Sequence, residues 1–316
     1  MDDARNDDAR NDDARIDRDR AGSLSRRGLI ASAAALTVTP ELAHAAPAHA
    51  WTRAAYEAAM HASGRPTRIS EAAFDAIQKR KGPAIERIHT YLNQRFGAAD
   101  PRVVQAFREV PREYYHYNYA VGHGKAGMLG EARPEDAYET NPKPWAIGYG
   151  SALSDYLGQA YMTQLCKPGP NDVTLEVGTG SGFQSSLLSR MVKHAYSIEI
   201  IQPLGHAVGK IFAPLGYSNI STRVGDGYYG WPEVKGGFDI IIVTCAARYA
   251  PPVLFSQLKP GGRMIIPIGQ PFKRGQILYV YTKDAQGKVH SRRDVGVFFI
   301  PMTGAISKTG APAAGH

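Results

Sequence analysis

From Val173 onward the chain alternates short apolar runs with stretches whose apolar residues recur every three or four positions. Val173–Val177, Ala195–Ile200, Ser221–Val224, Phe238–Thr244 and Arg263–Ile268 read as strands. Ser185–Val192, Leu204–Phe212 and Pro252–Leu258 read as the helices between them. Phe238–Thr244 is almost wholly apolar and β-branched, the pattern of a strand buried on both faces. Ile277–Thr282 and Val295–Pro301 close the sheet. Repeated β-α-β units predict an α/β fold of the Rossmann-like kind, a mainly parallel twisted sheet with helices on both faces.

The part before this core reads as helix and loop. Between Trp51 and about Phe96 the pattern is helical, with Ala84, Ile85, Ile88, Tyr91 and Leu92 at helical spacing and Gly64-Arg65-Pro66 as an interruption. Asp100-Pro101 predicts an N-cap and a first-turn proline, opening a helix through Val104 and Phe107 that stops at Val110-Pro111. Gly122 to Pro144 is rich in Gly, Pro and charge and reads as a long loop, a lid or an insertion. A helix from Ser154 to Leu165 is ended by Pro168-Gly169-Pro170. Leu258–Arg263, with Lys259-Pro260-Gly261-Gly262 inside it, reads as a helix stop, a tight turn and a strand start.

Residues 2–15 repeat an Asp-Asp-Ala-Arg unit, too polar to bury a core, and predict disorder. Ser25-Arg26-Arg27-Gly28-Leu29-Ile30 follows, then an Ala-rich apolar stretch and the small-x-small triplets Ala43-His44-Ala45 and Ala48-His49-Ala50. That order is a signal peptide, and the paired arginines resemble the twin-arginine class. The expected location is therefore exported, periplasmic or extracellular, if this signal works, and cytoplasmic otherwise. Its apolar stretch is too short for a stable membrane anchor. The expected domains are residues 1–45 as repeat and signal, 46–99 as a helical extension, 100–304 as the main domain and 305–316 as a flexible tail. Within the main domain, 100–170 is a cap and insertion and 171–304 the Rossmann-like core.

Composition adds limits. Over 316 residues the net charge is +8, and the first 45 residues carry seven Arg and nine acids, so the basic balance lies in the rest. No dense Lys/Arg block with interleaved aromatics stands there, which argues against a nucleic-acid partner. The two cysteines, Cys166 and Cys245, form no CxxC pair and read as free thiols, and the ten histidines are scattered, so no metal site is expected.

Leu175-Glu176-Val177-Gly178-Thr179-Gly180-Ser181-Gly182 places a glycine-rich turn between a strand and a helix. Glycines there admit tight dihedrals and close approach of a ligand, and the helix start offers free N–H groups. A dinucleotide fingerprint needs G-x-G-x-x-G, but Gly182 comes one residue early and Phe183 fills the expected place. G-x-G-x-G after a strand ending in an acid is instead the pattern of methyltransferases that use S-adenosyl-L-methionine. Glu199, at the end of the next strand, can accept two hydrogen bonds from ribose hydroxyls. Asp226-Gly227 follows the third strand, where an adenine amino group would be met.

These blocks resemble protein-L-isoaspartate O-methyltransferases from about Asp100 to Gly304, most specifically through DPRVVQAFREVPREYY (Asp100–Tyr115), GDGYYGWPE, FDIIIVTCAA and QLKPGGRMIIPIG in that order. The resemblance implies methyl transfer from S-adenosyl-L-methionine to the free carboxylate of L-isoaspartyl residues in damaged proteins or peptides. The family's active-site turn reads roughly G-Q-T-I-S-x-P, and here it is Gly150-Ser151-Ala152-Leu153-Ser154-Asp155-Tyr156. The match puts the catalytic serine at Ser154 and the substrate turn at Ser151, Ala152, Leu153 and Asp155. Ala152 replaces a threonine and Tyr156 a proline, and Asp155 sets a negative charge beside a site for a carboxylate. Glu176, Gly178, Thr179, Gly180, Gly182, Glu199, Asp226, Gly227 and Thr303 are the implied cofactor residues, Thr303 matching the threonine of a carboxy-terminal element that closes over the cofactor. Ser154 would orient the acceptor rather than attack it, and as a residue type it would serve equally as a helix N-cap. Two other functions fit the same residues: transfer to another peptide or small carboxylate acceptor, and an exported binding protein that keeps the scaffold without catalysis.

Overall fold

The computed structural model describes residues 51–120, 130–270, 273 and 275–309. The expected repeat, signal and cleavage sites therefore lie outside the described residues, as do 122–129 of the expected insertion and 310–316 of the expected tail.

Capping signals legible in the sequence set the first helices. α1 (Arg53–Ala62) starts where Thr52 Oγ1 accepts from the Ala55 N–H. α2 (Glu71–Phe96) starts at Ser70, which accepts from Ala73, and stops at Gly97 in the left-handed region. α3 (Pro101–Glu109) is capped by Asp100 with Pro101 in its first turn, and Val110 ends it. β1 (Tyr117–Asn118) and β2 (Glu131–Ala132) pair antiparallel, so the stretch after residue 129 is not wholly loop. A 3-10 turn follows at Pro134–Asp136, and Ala137 and Tyr138 are buried. β3 (Trp145–Gly148) and β4 (Ser151–Leu153) make a hairpin. α4 (Tyr156–Cys166) then leads to the main sheet.

That sheet is built from β5 (Val173–Val177), β6 (His194–Glu199), β7 (Ile220–Val224), β8 (Phe238–Val243), β9 (Leu258–Ile268), β10 (Gln276–Lys283) and β11 (Val289–Val297). Its order is β11-β10-β9-β8-β5-β6-β7. β5 to β9 pair in parallel, whereas β10 pairs antiparallel with both β9 and β11. The helices between parallel strands are α5 (Phe183–Ser189), α6 (Gln202–Val208) and α7 (Pro252–Gln257). The chain leaves β5 toward β6 on one side and later returns to β8 on the other. A crevice must open where those two directions part, at the carboxyl ends of β5 and β8.

The alternation of side chains divides the core in two. Ile240 and Ile242 pack with α2, α4 and α5, and Ile241 and Val243 pack into the other layer with Leu175, Met264 and Ile266. Ile240, Ile241, Ile242 and Val243 are all essentially inaccessible, as a strand covered on both faces requires. Tyr56, Phe74, Ile77 and Leu92 belong to the same buried cluster as α4 and α5, so the helical extension shares the core of the α/β layer.

Several boundaries differ from the periodic reading. α5 begins at Phe183 because Gly182, in the left-handed region, is the last residue of the turn. β9 starts at Leu258, and Lys259-Pro260-Gly261-Gly262 is a bulge within it, between the pairs Phe238–Leu258 and Ile240–Arg263. β11 starts at Val289 rather than 295 because its first half is polar edge strand with no apolar run to mark it. Residues 305–309 are not loose tail: Ala305–Ser307 is a 3-10 turn and Ile306 is buried.

Candidate active site

The glycine turn after β5 is shaped by backbone that other residues resist. Gly178 has φ +97°, and a Cβ there would lie 2.6 Å from Thr244 Oγ1; Gly182 has φ +82°, and its Cβ would press on Ile211 and Phe212. The turn is pinned from several sides. The Gly178 and Thr179 N–H groups donate to the Ile198 carbonyl, and Thr244 Oγ1 donates to the Gly178 carbonyl at 2.6 Å. The Gly180 N–H donates to Glu199 Oε2 at 2.8 Å.

Glu199 thus bridges the turn to the end of β6, its other oxygen accepting from the Ile201 N–H at 3.0 Å. Each carboxylate oxygen keeps a second lone pair for a ligand hydroxyl. Burial pushes the Glu199 carboxyl above its ordinary range, against the pull of the backbone N–H groups. Glu176 is more deeply buried. Its Oε2 accepts from Ser185 and, at 2.8 Å, from Ser197, while Oε1 has no partner. Ser197 spends its one proton on Glu176, so Thr179 is the donor in the 2.7 Å Thr179–Ser197 hydrogen bond. Burial pushes the Glu176 carboxyl up to about 8, the two serines pull it down, and the nearby Glu199 charge adds to the rise.

The β3–β4 hairpin faces this turn. Tyr149 and Gly150, its two turn residues, both have positive φ, 54° and 74°, the geometry that joins twisted strands. A Cβ on Gly180 would meet Ser151 Oγ at 3.8 Å, so the hairpin and the glycine turn are neighbours. β4 delivers Ser154 half-buried into the space between them. The N-cap of α4 is not Ser154 but Asp155, whose Oδ1 accepts from the Gly158 N–H at 2.8 Å. Asp155 is therefore occupied in holding the helix, and the Ser154 hydroxyl has no hydrogen-bond partner among the described residues.

One residue that carries this turn had no role in the sequence reading. Arg112, buried at 3% exposure, donates to the Ser154 carbonyl at 2.6 Å, to Gln159 Oε1 at 2.6 Å and to the Ala137 carbonyl at 3.1 Å. No carboxylate pairs with it among the described residues. Burial lowers the guanidinium to about 10, which leaves it charged at neutral pH.

The glycine turn, the two glutamates and the hairpin's end line one cavity of about 780 Å³. Glu176, the Gly178–Gly180 turn, Glu199 and Gly227 lie on its walls with Ser151, Ala152, Leu153, Ser154 and Asp155, and Thr303 lines it while exposed. Gly182 and Asp226 are not among the lining residues. Asp226 instead ties the chain end down, accepting from the Tyr228 N–H at 2.9 Å and the Ala305 N–H at 2.7 Å. Cys245 lines the cavity and Cys166 is buried elsewhere, both free, and among the described residues no cluster could hold a metal ion. No helix among the described residues is long and apolar enough to cross a membrane.

Residues 86–307 match the sequence profile described as protein-L-isoaspartate(D-aspartate) O-methyltransferase (PCMT). The chain belongs to this family. A relative in Syntrophobacter fumaroxidans, named protein-L-isoaspartate O-methyltransferase 2, is 40% identical over 245 residues, 77% of this chain and 92% of the relative. One in Nitrosospira multiformis, protein-L-isoaspartate O-methyltransferase 1, is 48% identical over 168 residues, 53% of this chain and 70% of the relative. The fold is shared with a solved protein-L-isoaspartate O-methyltransferase at TM-score 0.57 and 24% identity, covering 70% of this chain and 67% of that one. It is shared also with a putative Plasmodium falciparum member solved with S-adenosyl-L-homocysteine, at TM-score 0.54 and 22% identity, covering 71% and 98%.

Set beside the family's active-site turn, Tyr156 acquires a structural reason. Its hydroxyl donates to the Glu139 carbonyl at 2.7 Å and accepts from Arg87 Nε at 2.9 Å, so it fastens α2 and the segment after β2 to the start of α4. The family's proline could do neither.

Proposed function

We propose that this chain transfers the methyl group of S-adenosyl-L-methionine to the free carboxylate of L-isoaspartyl residues in proteins or peptides. The observation that carries this reading is one continuous cavity with Glu199 and the glycine turn on one wall and the partnerless Ser154 hydroxyl on another. The residues fit the cofactor. Glu199 offers spare lone pairs to ribose hydroxyls, the Gly178–Gly180 turn brings backbone to the cavity, and Glu176, another lining residue, keeps one carboxyl oxygen unpartnered. When bound, the cofactor supplies a methyl carbon already made electrophilic by its sulfonium.

The acceptor carboxylate is ionised at neutral pH, its ordinary pKa being about 4, so the chain need supply no general base. Its residues position. Ser154 donates to one carboxylate oxygen and leaves the other aimed at the methyl carbon. Arg112 fixes the Ser154 carbonyl and so the register of the turn. Alignment of the reacting atoms and exclusion of water account for the rate. The leader is read as directing export by a twin-arginine route, which carries folded protein; amino-terminal sequencing of secreted product tests it.

The deciding experiment incubates the chain with methyl-labelled cofactor and an isoaspartyl peptide or its aspartyl twin. A base-labile methyl ester on the first alone is expected. Ester on both, or only on small carboxylic acids, moves the acceptor elsewhere, an outcome that Ala152 and Tyr156 in the substrate turn make worth including.

A further inference from the structure

The cavity also reaches the last two turns of α2, where Tyr91 and Arg95 line it. Its ionisable carboxyls are Asp155, Glu176 and Glu199, and Arg95 is the only cationic side chain among the described residues that line it. Arg95 is exposed and has no hydrogen-bond or ion-pair partner among the described residues; its guanidinium lies 5.4 Å from the centroid of the Tyr91 ring. Tyr91 in turn packs 6.3 Å from Tyr161 of α4. The acid that Tyr161 reaches, Asp294, is already paired with Arg292 at 2.6 Å. A cation stacked on an aromatic ring at a cavity wall, with no anion of its own, is a ready receptor for one.

We infer that Arg95 and Tyr91 form an acceptor subsite for a second carboxylate, an acidic side chain a few residues from the one that is methylated. Position supports a second group rather than the reacting one. Tyr161 lies about 7–8 Å along α4 from Tyr156, at 1.5 Å per residue, and Ser154 stands two residues before that helix begins, so the span is roughly 10 Å. An extended peptide covers that span in about three residues, at roughly 3.3 Å each. Phe298, 64% exposed where β11 ends, lines the same cavity and offers an apolar face to the intervening residues. A last-turn cation also favours a helix C-terminus, a purely structural use that would give no peptide preference.

The inference rests on the proposed peptide acceptor, and its test separates the two. Isoaspartyl peptides with Glu, Gln or Lys three residues to either side are assayed with the full chain, R95Q and R95K. Methyl transfer gives KM and kcat, and calorimetry in S-adenosyl-L-homocysteine gives binding without turnover. The Glu peptide should show a KM and Kd about two- to fivefold below the Gln peptide on at least one side, lessening in high salt. R95Q should bring that ratio to about one, and R95K should keep most of it. Methylation with no charge preference, or an R95Q loss equal for all peptides, overturns the subsite and leaves the proposed activity standing. Charge-selective binding without methyl ester keeps the subsite and overturns the activity. Failure of every peptide to bind overturns both.

Discussion

Replacing Glu176 by glutamine is expected to remove most of the decline in this protein's stability as pH rises through neutrality. The carboxyl is fully buried, and desolvation lifts it from an ordinary 4.5 to about 8. Between those values the folded protein keeps a proton that the unfolded chain has released. Folding then takes up a proton, so stability falls with rising pH across the window and levels off above about 8. The slope is about 1.4 kcal/mol per pH unit, so the whole passage is of order 5 kcal/mol. Glutamine mimics the protonated form without titrating. Its amide oxygen can keep the Ser185 and Ser197 hydrogen bonds, while its NH₂ takes the unpartnered Oε1 position. An unpaired NH₂ lowers stability by about 1–2 kcal/mol at every pH, so the slope and not the offset isolates the titration. From about pH 5.5 to 7.5 the variant should gain about 3 kcal/mol on the wild type, or about 5–10 °C in Tm. Thermal melts of both proteins at constant ionic strength measure it. A Tm difference that does not change with pH would show that Glu176 carries no proton in the folded protein, and the account of its burial would fail.

Ser154→Ala should lower kcat about tenfold, the value of one oriented hydrogen bond, with cofactor affinity nearly unchanged; wild-type kcat would remove Ser154 from the mechanism. Glu199→Ala strips the Gly180 and Ile201 N–H groups of their acceptor and should weaken cofactor binding about ten- to a hundredfold by calorimetry, and retained affinity would refute its assignment. Arg112→Met leaves the Ser154, Ala137 and Gln159 oxygens unpaired. It should cost about 3 kcal/mol in urea unfolding, with kcat falling more than cofactor affinity. Tyr156→Phe loses the hydrogen bonds to Glu139 and from Arg87 and should lower Tm by about 2–4 °C, whereas an unchanged melt would mean that the α2 contact holds without them.

Contiguous residues determined much of this protein. The Asp100-Pro101 helix start, the both-sides-buried strand at 238–243 and the strand–glycine turn–helix at 173–189 were each spelled by neighbours, because capping, periodicity and φ are local properties. Whether Ser154 or Asp155 caps α4 was not local, since both residue types cap well; packing set the register by one residue and so left the serine hydroxyl free. Arg112 meets the Ser154 carbonyl across 42 positions, and Asp226 meets Ala305 across 79, pairings that no spacing rule encodes. Nor could periodicity give the antiparallel direction of β10 and β11, or bring Tyr91 and Arg95 of α2 to the cavity that the ends of β5 and β6 also line. The ionisation of Glu176 is the sharpest case, for an isolated glutamate has an ordinary carboxyl, and only layers contributed by distant segments withhold the water that would stabilise its charge.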